Sequence, residues 1–337
     1  MSPWRLWLGG KEKIMRDHGG NIDWAVQHFG ARPEQWIDLS TGINRCPYPV
    51  PPIPAEHWQA LPTMAALDAL HRAAQEAYHT KAPILAIAGA QTAIQLIPHM
   101  SVPSEARVLA PTYNEHAAAL RACGWRVREV EQLHDLRGAD LAVVVNPNNP
   151  DGRRHDPSAL AGVLGAVGRL VVDESFADTD PDISIASWAG RTGLLVLRSI
   201  GKFYGLAGLR LGFVLGCKDD IEKLTQLAGP WPVSGPAIHI GRCALQDAKW
   251  AAATTLRLKG DADRLDRLVT RSAWKLAGGT PLFRLYMTED SRSAQDRLGQ
   301  MHIWSRIFPW SPHLVRLGLP GSEPEWDRVT SAFAGVV

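Results

Sequence analysis

Short apolar runs alternate with amphipathic segments through the middle of the chain. The runs 107–110 (RVLA), 141–145 (LAVVV), 170–172 (LVV), 194–197 (LLVL) and 211–215 (LGFVL) are apolar almost throughout and too short for helices. That pattern predicts strands buried on both faces. Helix candidates stand between the earlier runs: 114–123 after a Pro-Thr-Tyr turn, and 157–167, whose Pro157 suits a first helical position. Strand and helix in alternation predict an α/β fold built on a mostly parallel sheet, with ligands at the carboxyl ends of its strands.

After 229–236 (GPWPVSGP) the texture changes. Segments 237–248 and 249–276 read as charged helices, 282–286 as a strand, then a helix, and 314–319 as another strand, which together make a smaller α+β region. One amphipathic helix is expected near 22–29, and the Pro-rich stretch 46–54 reads as an extended connector. The expected division is an N-terminal arm over 1–44 that packs with the small domain, a large domain over 45–235 and a small domain over 236–337.

Composition narrows the function classes. The chain has 337 residues, 45% of them hydrophobic, with 36 Lys+Arg against 34 Asp+Glu. A net charge of +2 and the lack of any basic block argue against a protein that binds nucleic acid through its phosphates. No apolar run approaches the length needed to span a bilayer, and the first twenty residues carry charges and glycines where a leader needs an apolar stretch. The expectation is a cytoplasmic protein with no membrane or nucleic-acid partner. Cys46, Cys123, Cys217 and Cys243 lie far apart with no CxxC, so neither a metal site nor a disulfide framework is expected. His28, His71, His79, His99, His116, His239 and His302 lack metal-ligand spacing, and structural roles are expected for them.

Five features sit at predicted strand ends. Lys202, in Arg198-Ser199-Ile200-Gly201-Lys202, follows the 194–197 strand. It is either a surface loop lysine or an amine aimed into a cleft, where burial or a cationic neighbour would free it for Schiff-base chemistry. A Walker A reading fails, because Val196 and Phe203 occupy the positions of its first glycine and its hydroxyl residue. Eight residues past the lysine, Arg210 lies in the glycine-rich 205–212 (GLAGLRLG), a backbone path that allows bidentate contact with a phosphate. Asp173 ends the 170–172 strand; it is a helix cap, a structural ion pair, or a carboxylate held against a protonated heterocyclic nitrogen. The 146–152 segment (NPNNPDG) is turn chemistry with amides available to a ligand. The 89–93 segment (GAQTA) opens a helix, either an ordinary start or one whose N–H groups face a phosphate.

Taken in order and spacing, these features resemble the fold-type I, pyridoxal-phosphate-dependent aminotransferases of classes I and II. The resemblance implies pyridoxal 5'-phosphate as cofactor, a large domain around a mostly parallel sheet, a small α+β C-terminal domain and a homodimer. By the same resemblance Lys202 would bind the cofactor aldehyde and Asp173 the pyridine nitrogen. Asn149 would meet the phenolic oxygen, Tyr113 would stack on the ring, and Ala90, Gln91, Ser199 and Arg210 would hold the phosphate. Arg316, in 314–318 (LVRLG), would bind a substrate carboxylate.

A narrower likeness rests on His18-Gly19-Gly20-Asn21-Ile22, on 38–44 (DLSTGIN), on 230–233 (PWPV), on 244–250 (ALQDAKW), and on Asp173-Glu174-Ser175-Phe176. These resemble the cobalamin-pathway L-threonine-O-3-phosphate decarboxylases, in which His18, Gly19 and Arg306 would meet the substrate's phosphate. The resemblance thus implies a phosphorylated amino acid as substrate and decarboxylation to (R)-1-aminopropan-2-yl phosphate. A class I/II aminotransferase such as histidinol-phosphate aminotransferase is the alternative, since it would share Lys202, Asp173, Asn149, Arg210 and Arg316. Five positions depart from the pattern: Gly42 for Asn, Arg45 for Pro, Leu61 for Tyr, Asp151 for Thr, and Gly201 for a hydroxyl residue.

Overall fold

A computed structural model describes residues 18–334, together with the backbone of two short antiparallel strands, Arg5–Leu8 and Lys11–Ile14. The other residues of the first seventeen, on which the reading of a missing leader rests, lie outside the described residues. The chain divides into two compact units: Pro47–Arg257, and Met1–Cys46 with Leu258–Val337.

The larger unit is built on a seven-stranded sheet in the order Ile84–Ile87, Gly212–Leu215, Leu194–Ser199, Arg169–Asp173, Leu141–Val145, Glu105–Leu109, Arg126–Val130. Gly212–Leu215 runs antiparallel to both of its neighbours, and the other pairings are parallel. The five residues of Leu141–Val145 are all buried, as expected for a strand covered on both faces. Leu85, Ile87, Val108, Leu141, Val143, Val171, Leu195, Leu197 and Val214 pack one core layer against Ile94, Leu120 and Leu224 of the flanking helices. Helix starts follow local chemistry. Thr63 and Ser234 accept from the N–H groups of Ala66 and Ala237, and Pro157 takes the first position of the helix Pro157–Leu164.

The edge strand Arg126–Val130 and the strand Ile84–Ile87 were not anticipated from the sequence. Arg126–Val130 exposes three of its five residues, so its RVREV pattern lacks the continuous apolar run of its neighbours. The boundary between the units also differs from the expected 235/236. Helix Gly235–Gln246 belongs to the larger unit because it packs on Met64–Ala77: a Cβ on Gly241 would lie 3.3 Å from a Leu70 methyl and 2.3 Å from a Leu211 methyl. The first half of helix Ala248–Val269 follows it, with the Trp250 ring stacked on Tyr204 at 5.5 Å.

The smaller unit carries a four-stranded antiparallel sheet in the order Lys275–Thr280, Phe283–Met287, Ser311–Gly318, Arg306–Phe308. The expected helix over 249–276 ends at Val269, and Lys275–Thr280 is an edge strand instead. Residues 18–46 join this unit through a parallel pairing of Ile37–Asp38 with Ile303–Trp304. Trp24, Phe29, Trp36 and Trp304 interlock there over Ala25, which gives four of the chain's aromatic side chains a packing role. Among the described residues no helix is long and apolar enough to cross a membrane.

Candidate active site

Four neighbouring strands of the larger unit, Leu194–Ser199, Arg169–Asp173, Leu141–Val145 and Glu105–Leu109, run parallel, so their carboxyl ends share one edge. Asp173 ends one of them, and the turns beyond carry Lys202, Asn149 and Tyr113. Asp173, 3% exposed, closes its strand opposite Leu197. One carboxylate oxygen meets His116 Nε2 at 2.9 Å, and the other accepts from the Ser175 N–H at 2.9 Å and the Ser175 hydroxyl at 2.6 Å. Burial pushes this carboxyl up, but the His116 and Ser175 bonds together outweigh it and hold the group below the usual carboxylate range. It is a buried anion with a preference for N–H donors.

His116 is buried beside Asp173, a contact that the sequence does not announce. It lies on helix Glu115–Ala122, and its ring meets that of Tyr113, which precedes the helix, edge to face at 6.2 Å. No spacing rule marks it in the sequence, since Tyr113 stands outside the helix. Tyr113 donates to Gln91 Oε1 at 3.2 Å, and Gln91 Nε2 donates to Glu115 at 2.9 Å. The Gln91 side-chain amide is thus committed to Tyr113 and Glu115. Lys202 Nζ stands 5.7 Å from the centre of the buried Phe176 ring.

Arg210 adopts a left-handed backbone, φ 53°, and its guanidinium lies directly against Gly89, at the start of helix Ala90–Leu96. Gly89 has φ +81°, and a Cβ there would sit 2.9 Å from Arg210 Nη2. On the neighbouring strand a Cβ at Gly212 would lie 2.6 Å from the Ala90 nitrogen. Side chains are thus excluded where a guanidinium and a helix start converge. Ser199, at the end of its strand, accepts from the Gly201 N–H at 3.2 Å, and a Cβ on Gly201 would come within 3.2 Å of the Ala207 backbone, so a larger residue has little room there. In the 146–152 turn the three asparagines divide their work. Asn146 bonds the carbonyls of His155 and Ile183, and Asn148 bonds Pro111, Thr112 and Asp151. Asn149 stays half-buried at the rim. Asp151, a departure from the pattern, closes this turn by also accepting from the Arg153 N–H at 2.9 Å.

Pyridoxal phosphate suits this donor set. Asp173 is an ionised acceptor for a pyridinium N–H, Lys202 an amine for an aldehyde, and Arg210 with the Ala90 and Gln91 N–H groups and the Ser199 hydroxyl a seat for a phosphate.

The smaller unit holds the remaining expected residues. His18, Gly19 and Arg306 line one open cavity of about 730 Å³ with Trp24, Ser40, Gln295, Trp304, Phe308 and Trp310. Gly19 packs so closely that a Cβ would be 2.4 Å from Ser40 O, and the Gly20 N–H donates to Ser40 Oγ at 2.7 Å. Arg316 is not on the cavity wall. It stands opposite Arg306 on the adjacent strand and donates to Ser40 O at 2.7 Å. Burial, and then the Arg306 charge, push the Arg316 guanidinium down to about 9, with Asp38 pulling the other way. Arg45, another departure, forms an ion pair with Glu325 through its Nε and Nη2, its Nη1 donates to Asp38 O at 3.3 Å, and the Gly321 N–H donates to the same Glu325 carboxylate at 2.7 Å.

The family model "Aminotransferase class I and II" matches residues 55–304. The chain belongs to the class I and II aminotransferase family. Within that family it is 39% identical over 328 residues to a threonine-phosphate decarboxylase of Pseudomonas aeruginosa, covering 95% of this chain and 98% of that protein. A threonine-phosphate decarboxylase of a Sinorhizobium species is 38% identical over 326 residues, covering 94% and 97%. Among solved structures, the histidinol-phosphate aminotransferase from Sinorhizobium meliloti in complex with pyridoxal-5'-phosphate superposes with a TM-score of 0.80 at 19% identity, over 93% of this chain and 94% of that one. The fold is therefore that of the fold-type I aminotransferases, a large unit around a mostly parallel sheet with a smaller α+β unit.

Proposed function

We propose that this protein is a pyridoxal-phosphate-dependent decarboxylase of L-threonine O-3-phosphate, releasing CO₂ and yielding (R)-1-aminopropan-2-yl phosphate. The observation that carries this reading is the cross-strand pair of Arg306 and Arg316, read with its full-length similarity to two threonine-phosphate decarboxylases. A substrate with a carboxylate at one end and a phosphate at the other needs two cationic holds. Arg316 takes the carboxylate; Arg306, with His18 and the Gly19 backbone beside it on the cavity wall, takes the phosphate.

When bound, pyridoxal phosphate supplies the electron sink. Lys202 would anchor it, and Asp173, kept ionised by His116 and Ser175, would accept a hydrogen bond from its ring nitrogen. Tyr113 would flank the ring, Asn149 would meet the phenolic oxygen, and Ala90, Gln91, Ser199 and Arg210 would hold the phosphate. The sink would draw electrons from whichever bond at the substrate Cα is suitably oriented toward it. By holding the substrate's two charged ends, Arg306 and Arg316 would set which bond at Cα is presented for cleavage. A proton returned to Cα completes the reaction.

The protein acts as a homodimer without nucleic-acid partners, in the cytoplasm. Trp58, Leu61 and Met64, 64–71% exposed, give the larger unit an apolar face that a second copy covers, and all four cysteines are unbridged, as in a reducing compartment.

The test is to incubate the cofactor-loaded protein with L-threonine phosphate, with and without 2-oxoglutarate. Release of CO₂ that does not depend on the oxo acid is expected. Formation of glutamate without CO₂ points to the aminotransferase alternative and overturns the proposal.

A further inference from the structure

Asp173 and Lys202 can serve one cofactor only if the ends of two adjacent strands, Arg169–Asp173 and Leu194–Ser199, hold a fixed relation. Backbone pairing reaches this edge and stops: Asp173 lies opposite Leu197, and the Glu174 N–H donates to Leu197 O at 2.9 Å. Side chains alternate across a sheet, so Glu174 and Arg198 leave it on the face opposite Asp173 and Ser199. There Arg198 Nη1 donates to Glu174 at 2.9 Å and Nη2 to Asp178 at 2.9 Å. Arg198 is 4% exposed and Glu174 fully buried. The Tyr78 ring covers the guanidinium, with Cζ 4.3 Å from its centre. Glu174 is held in turn by the Ser184 hydroxyl at 2.5 Å and the Ile185 N–H at 2.7 Å.

A buried arginine between two carboxylates is a poor way to gain stability, since apolar side chains of the same volume do as well. Its planar fork fixes direction instead. One arm ties to the residue directly after Asp173, the other to the turn Ala177–Thr179, and Arg198 itself lies four residues before Lys202.

We propose that Arg198 is a positioning residue that ties the chain after Asp173 to the chain before Lys202 from the far face of the sheet, and so sets the distance between the two groups that grip the cofactor. The proposal rests on the assignment of Lys202 and Asp173 to the cofactor. Arg198 itself touches neither cofactor nor substrate.

Two variants test it in the full chain. Arg198→Lys keeps the charge but loses the fork. Arg198→Met combined with Glu174→Gln and Asp178→Asn removes the charges together, so no ion is left buried alone if the single variant fails to fold. In both, borohydride is expected to fix the cofactor to Lys202, as in the parent protein. The dissociation constant for pyridoxal phosphate is expected to rise about tenfold or more, and the visible circular dichroism per bound cofactor to fall. kcat should drop with KM for L-threonine phosphate unchanged. If the variants lose thermal stability yet keep the parent's dissociation constant and dichroism, Arg198 is merely structural and the proposal is overturned. A borohydride label on another residue of the parent protein overturns the Lys202 assignment and this proposal with it.

Discussion

Arg306 and Arg316 stand directly opposite each other on antiparallel neighbours, a like-charge cross-strand pair in which both side chains are buried. Like charges placed so are destabilising on their own. An anion that meets either one relieves the repulsion. Inorganic phosphate is therefore expected to raise the Tm of the wild-type protein in a concentration-dependent way. Arg306→Gln should raise the Tm without phosphate and lose most of the phosphate-induced shift. Thermal melts across a phosphate series measure both, and an equal shift in the two proteins would remove Arg306 from the phosphate site.

The Ser175 hydroxyl is one of the groups that keep Asp173 ionised. Ser175→Ala should cost about 2 kcal/mol at neutral pH, the typical worth of a hydrogen bond to a charged group. The sign of its pH dependence follows from linkage. Asp173 has a folded-state pKa below the unfolded value, so its stabilisation is present above the ordinary carboxylate pKa and is lost as pH falls through the folded one. The gap between variant and parent should shrink as the pH drops through the carboxylate range. Urea unfolding at pH 7 and below pH 4 would show it, and a gap independent of pH would contradict it.

Gly89 tests the phosphate seat. Its φ of +81° is a region costly to other residues, and a methyl there would displace the Arg210 guanidinium. Gly89→Ala is expected to weaken cofactor binding about tenfold or more through loss of one charge-assisted contact, with the protein still folded. Fluorescence titration with pyridoxal phosphate reads the change; unaltered affinity would place the phosphate elsewhere.

The Arg45–Glu325 pair belongs to the smaller unit alone. Arg45→Ala and Glu325→Gln should each cost about 1–2 kcal/mol, because the pair is half-buried and bidentate through Nε and Nη2. The double variant should cost little more than either single one. Cofactor affinity should not move. A double-mutant cycle in urea gives the coupling directly.

Much of the larger unit was legible in the sequence because its strands are buried on both faces and so form unbroken apolar runs. Leu141–Val145 is such a run, and Asp173 stood out as a charge at the end of another. The edge strands were not legible. Arg126–Val130 and Lys275–Thr280 keep much of their length in solvent, and the second carries two glycines, so neither shows a strong period. The chemistry divided in the same way. Lys202 and Arg210 lie in local turns next to strand ends, so their positions in the chain, though not their roles, could be read from the sequence. His116 and Arg198 act through partners tens of residues distant in the chain, and only the folded sheet brings them together.

The smaller unit is assembled from two stretches, 18–46 and 258–334, that the whole of Pro47–Arg257 separates. On the ribosome, the strand Ile37–Asp38 emerges long before its partner Ile303–Trp304 exists. Translation at roughly 5–20 residues per second leaves this early segment, with its tryptophans, waiting for tens of seconds or less. The larger unit needs no later chain to complete its sheet. Synthesis thus imposes an order in which the larger unit can mature first, and the paired arginines Arg306 and Arg316 come last.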